Sequence, residues 1–162
     1  VILNSKVLKN ILFVLILVTP FAIGFAFNNI YEGDFAKNGR VLQKEIKYED
    51  FFNADLVVIT IPDCPYCHGS IPSLKLLQKR NPNLRIRMIV CSSDPKQLKP
   101  YKKEIGNSFD LQLATNPDSL ATVANFAFPS FVMVKNNIPY EVWSKDQFGV
   151  RAKDVVEKYF KH

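Results

Sequence analysis

The chain reads as one α/β domain behind an apolar N-terminal segment, on three observations. Short β-branched runs alternate with amphipathic stretches and then close with a hairpin and a helix. A length of 162 residues, 48% of them hydrophobic, suffices for one domain with a real core. The strongest strand signal, Leu56–Ile61, runs directly into a cysteine pair, Cys64 and Cys67, set across a strand-to-helix turn.

In chain order, Ile11–Phe27 (ILFVLILVTPFAIGFAF) is almost wholly apolar, at the short end of the roughly 17–25 residues that span a bilayer. Lys6 and Lys9 precede it, which favours a cytoplasmic N-terminus and places the rest of the chain outside the cytoplasm. Residues 1–27 therefore read as a membrane anchor, with cleavage after Ala22-Ile23-Gly24 or Gly24-Phe25-Ala26 as the alternative. Residues 28–48 read as a tether ending in a short strand near Val41–Tyr48, and 49–162 as the folded domain.

Within that domain, Pro62 and Asp63 break the Asp55–Ile61 strand, and a helix follows to about Arg80 with Ile71, Leu74 and Leu77 on one face. Leu84–Cys91 alternates as a strand, Arg85 and Arg87 facing one way, Ile86 and Met88 the other. Asp94-Pro95 caps a lysine-rich helix to Ile105, its lysines on a solvated face. Phe109–Ala114 is the next strand, and Asn116-Pro117 opens a helix to about Asn125. A strand from Pro129 to Lys135, a turn at Asn136-Asn137 and a returning strand Ile138–Ser144 form a hairpin. The last helix, about Gly149 to Phe160, offers Val150, Val155, Val156 and Tyr159 for packing.

Composition narrows the function. A net charge of +6 is mild and spread out, with no basic stripe interleaved with aromatics, so nucleic acid is not an expected partner. Three cysteines are no disulfide framework; they read as one redox pair plus Cys91, a small buried hydrophobe at a strand end or, as the alternative, a regulatory or resolving thiol. A thiol at a helix N-terminus faces unpaired N–H groups and the positive end of the dipole, which favours the thiolate. Cys64 is thus the candidate nucleophile, and Cys67, one turn on, the candidate resolving thiol.

CPYC resembles the dipeptide pattern of glutaredoxins and some bacterial Dsb proteins, and three marks together resemble the thioredoxin superfamily. Pro72 follows Cys67 by five residues in CHGSIPSL, as in many thioredoxins and in membrane-anchored TlpA/ResA-type proteins, and Phe128-Pro129 ahead of SFVMVK resembles the superfamily's cis-proline. The resemblance, over Asp55 to Phe160, implies a thioredoxin-like fold: a central mixed sheet flanked by helices, with a strand–helix insertion in Leu84–Ala114. It implies a thiol–disulfide oxidoreductase needing no cofactor beyond the Cys64–Cys67 disulfide, with Pro65, Tyr66, His68 and Asp63 around the pair. Phe128 and Pro129 are then expected to line up an extended substrate, as an added strand would. The implied partners are extracytoplasmic proteins with cysteines and a membrane or thioredoxin-type electron donor. The implied place is a bacterial inner membrane with the domain in the periplasm or outside, or secretion after signal cleavage.

Asp63 stands where many members have Trp, and its charge opposes the helix dipole at Cys64. Val58 stands where thioredoxins bury a carboxylate, and no Gly-Gly follows Pro129 as in glutaredoxins. Reduction of exported proteins is the leading expectation, a Dsb-type oxidant or isomerase the runner-up. Two readings of other classes remain. Cys64, Cys67 and His68 spell the CxxCH signature of c-type haem attachment, with Met88 or Met133 as a second axial ligand; or the two thiols and His68 hold Cu(I) or Zn(II). His68 otherwise reads as an exposed first-turn residue that modestly tunes Cys64.

Overall fold

The computed structural model describes residues 13–20, 40–41 and 49–160. By contacts the chain divides into Val1–Phe35 and Ala36–His162. In the first unit residues 13–20 are helical. Among the described residues no helix is long and apolar enough to cross a membrane. Most of the expected anchor (1–27) and tether (28–48) lies outside the described residues, as do residues 42–48 of the expected first strand.

The second unit is built on a six-stranded sheet. Its elements are β1 (Arg40–Val41), β2 (Leu56–Thr60), α1 (Pro65–Arg80), β3 (Ile86–Val90), α2 (Leu98–Ile105), β4 (Asp110–Leu113), α3 (Pro117–Val123), β5 (Ser130–Lys135), β6 (Ile138–Ser144) and α4 (Val150–Phe160). Across the sheet the strands run β1-β6-β5-β2-β3-β4. The β2, β3 and β4 strands are parallel neighbours, whereas β5 pairs antiparallel with β2 and β6 antiparallel with β5.

β2 is central because all five of its residues are apolar or β-branched and buried. Leu56 and Val58 face one core with Ile71, Leu74 and Leu77 of α1, Tyr101 and Ile105 of α2, and Ala152 and Val156 of α4. Val57 and Ile59 face the other, with Phe51 and with Leu120 and Val123 of α3. β3 alternates up to Met88, after which Ile89 packs into the second core, so its end is buried on both faces. β4 adds an edge strand beside β3.

The local signals act where chemistry predicts. Asn116 Oδ1 accepts from Ser119 N at 3.1 Å and starts α3. Asp94 Oδ1 accepts from Lys96 N at 3.0 Å, but it caps a 3-10 turn, Pro95–Gln97, ahead of α2. Asn136 and Asn137 take φ of 53° and 64°, the left-handed pair a two-residue β5–β6 hairpin requires. In α4 the packing face agrees with expectation at Val156 but not at the other three expected residues. Ala152 and Val156 are fully buried, while Val150, Val155 and Tyr159 are exposed. Ala152, Val156 and Phe160 recur every fourth residue, and a position one off that stripe turns by about 100° toward solvent.

Candidate active site

The site lies at the C-terminal end of β2. Asp63 takes φ 51°, a left-handed turn that Asp tolerates better than most side chains, and it swings the chain from strand into helix. Cys64 is the N-cap of α1, and Pro65 follows as its first residue, where a missing N–H costs nothing. Cys64 Sγ accepts from Cys67 N at 3.2 Å. The two cysteines form a disulfide with Cα atoms 5.2 Å apart. Cys67 is wholly buried and Cys64 nearly so at 7%, while Tyr66 between them is 64% exposed. A partner can thus approach the pair only from the Cys64 side. Pro72 lies inside α1 on its exposed side.

The loop before β5 forms the facing wall. The Phe128–Pro129 peptide is cis, and Phe128 packs against both cores. Pro129 lines a pocket of about 320 Å³ with Pro65, Tyr66, Ser70, Lys145 and Phe148. Ser130, buried behind it, donates to Ala127 O at 2.6 Å and Ala124 O at 3.3 Å, which ties the loop to the end of α3.

His68 is not the exposed residue its sequence position suggests. Its ring stacks on Tyr101 with centroids 4.2 Å apart and planes 7° from parallel, and Nδ1 meets Glu104 Oε1 at 2.9 Å. Tyr101 Oη donates to Ile61 O at 2.7 Å. Helix α2 therefore grips the cysteine turn on both sides, at a carbonyl ahead of Cys64 and at a side chain behind Cys67. Sequence reading missed Tyr101 and Glu104. The available signal was the i, i+4 pair Tyr101 and Ile105, the buried stripe of a helix read mainly for its lysines.

The same packing separates the other ligand sets. Met133 pairs with Leu56, at the end of β2 remote from the cysteines, and Met88 sits at mid-sheet opposite Val58. Both are buried, and His68 turns to Glu104, so the structure does not assemble the axial ligands that the CxxCH reading requires. Among the described residues no three His, Cys, Asp or Glu side chains cluster as a metal site.

Val58 is buried in the Cys67 core; of the two buried carboxylates among the described residues, Asp55 pairs with Arg85 and Asp50 lies near Cys91. Burial, then the Asp50 charge, pushes the Cys91 thiol from 9.0 to about 12. Burial also pushes the Tyr101 phenol from 10.0 to about 12, against a hydrogen bond with Thr60 and helped by Glu104 and Asp63. Both groups keep their protons in the folded chain at a pH where the unfolded chain releases them. Their contribution to stability is full below pH 9 and lost as pH rises toward 12. Denaturation of the reduced protein between these limits should show a falling urea midpoint, recovered in part by Cys91→Ala; a flat profile would refute the assignment.

No family profile matches the chain, and no curated protein matches it. Solved structures do. The thioredoxin domain of a thiol-disulfide oxidoreductase from Bacteroides vulgatus is 18% identical, with 75% of this chain and 91% of that one covered at a TM-score of 0.53. A thiol:disulfide interchange protein from Bacteroides sp. is 16% identical, with 79% and 93% covered, at 0.53. The apo Sco1 protein from Thermus thermophilus is 16% identical, with 76% and 96% covered, at 0.54. At these identities the likeness establishes the fold, which is thioredoxin-like.

Proposed function

We propose, from a thioredoxin-like fold carrying a Cys64–Cys67 disulfide, that this protein is an extracytoplasmic thiol–disulfide oxidoreductase that reduces disulfides in exported proteins. One observation carries the reading: Cys64 Sγ sits at the capped N-terminus of a 16-residue helix and accepts a hydrogen bond from Cys67 N–H. Helix dipole and N–H donor both favour the Cys64 thiolate once the disulfide is reduced.

The thiolate attacks one sulfur of a substrate disulfide, forming a mixed disulfide and expelling the other substrate sulfur as a thiolate that takes up a proton. Cys67 then loses its proton and attacks Cys64 Sγ. That restores the Cys64–Cys67 disulfide and releases the second substrate thiolate, which is protonated in turn. Two electrons pass to the substrate, and a thioredoxin-type or membrane donor returns them. Phe128 and Pro129 present backbone to an extended substrate in the manner of an added strand. The TlpA/ResA-type likeness of CHGSIPSL and the α2–β4 insertion favour the reductive direction. CPYC and His68 favour the Dsb-type oxidant, which runs the same steps in reverse.

The deciding measurement is intact mass after alkylation across thiol redox buffers, on residues 29–162 expressed with export. A single two-thiol transition is expected, absent in Cys64→Ser. A midpoint near about −270 mV supports the reductant and one near about −120 mV the oxidant. A haem-sized adduct with no transition would overturn the reading. The anchor proposed for residues 1–27 is tested separately, by membrane fractionation of the intact chain.

A further inference from the structure

The pocket beside Pro129 has a chemical bias. One wall is the start of α1, from Pro65 to Ser73; the other is Pro129 with the stacked rings of Phe131 and Phe148, centroids 4.0 Å apart. Lys145 is the single charged residue among those lining it. It reaches from the loop after β6 to the opposite wall, its Nζ 3.6 Å above the Tyr66 ring. Asp146 Oδ1 lies 3.7 Å from Nζ, beyond hydrogen-bond reach, on a side chain that is itself 68% exposed. The pocket also flanks the first turns of α1, where the helix dipole is positive.

A second observation points the same way. Gly69 lines this pocket inside α1, although glycine is the poorest helix former after proline. Its φ is helical, and a Cβ built there meets nothing within 4 Å. Neither backbone conformation nor packing within the chain calls for a glycine. What its absent side chain provides is room in the pocket wall.

Resting on the oxidoreductase reading, we infer that this pocket is a subsite for an acidic side chain of the substrate, within about two residues of its reacting cysteine, held by Lys145 over Tyr66. Tyr66 lies between the two cysteines, so a strand aligned against Pro129 passes the pocket within that span. The ammonium supplies charge-assisted hydrogen bonds to the carboxylate, and the aromatic wall accepts its methylenes.

The test uses disulfide-linked peptides that differ only in Glu or Gln at each of the two positions on either side of the cysteine. It compares kcat/KM ratios for wild type, Lys145→Met and Lys145→Glu. The ratio within one protein cancels any effect common to both peptides. Wild type should prefer Glu by about five- to tenfold at low salt at one of these positions, and less as salt rises. Lys145→Met should bring the ratio close to one, and Lys145→Glu should invert it. Equal rates for Glu and Gln in wild type at every position, or an unchanged preference in Lys145→Glu, would overturn the subsite and leave the redox reading standing. No turnover of any peptide would overturn both.

Discussion

Cys67→Ser is expected to accumulate mixed disulfides with substrate, while Cys64→Ser forms none and loses disulfide-reducing activity by roughly a thousandfold or more. The asymmetry follows from position. Cys64 is the N-cap, its sulfur facing Cys67 N–H and the positive helix end, whereas Cys67 is wholly buried one turn in. An incoming disulfide therefore reaches only Cys64. With serine at 67 no internal thiol can attack the mixed disulfide, so it persists until an external thiol arrives. Mass spectrometry of reduced variants incubated with a cysteine-peptide disulfide separates the cases: a stable adduct on Cys67→Ser and none on Cys64→Ser. An adduct on Cys64→Ser would sink the assignment of nucleophile.

Asp50→Ala is expected to cost about 2–3 kcal/mol of stability, a large effect for a polar side chain outside the redox pair. The Asp50 carboxylate is 3% exposed and accepts from Gln112 Nε2 and Thr115 Oγ1 at 2.9 Å and from Thr115 N at 3.1 Å. Its truncation strands three donors where β4 meets the segment before β2. The backbone there is also held by Arg87 Nη1, which donates to Asp50 O at 3.2 Å and Phe52 O at 2.9 Å. Urea unfolding should show a lower midpoint at unchanged slope. Asp50→Asn, which keeps one acceptor oxygen, should lose about half as much and also lower the Cys91 pKa, because the Asp50 charge helps to hold that thiol up. A midpoint within experimental error of wild type in Asp50→Ala would refute the account.

Much of the site was legible before any fold was known. A β-branched run, a break at Pro62-Asp63 and two cysteines one helical turn apart place a thiol at a helix start, and all of these are relations within a single turn or pleat. The caps at Asp94 and Asn116 and the Asn136-Asn137 hairpin are of the same kind. For these, backbone sterics and nearest-neighbour hydrogen bonds decide the outcome, and both are written in adjacent residues.

Relations across the sheet were not legible. His68 carries no local sign that Tyr101 and Glu104, more than thirty residues on, will take up its ring. Lys145 shows as one more surface lysine until β6 brings it over Tyr66. Asp50 reads as an ordinary acidic loop residue until β4 and the residues just after it bring Gln112 and Thr115 to it. In α4 several apolar stripes were available, and packing into the core shared with Leu56 and Val58 selected the one through Ala152 and Val156. The amino-acid order by itself determined where the cysteine turn forms and which sulfur caps the helix. Only tertiary packing decided what surrounds that turn, because long-range partners are chosen by which faces the sheet and helices bury together.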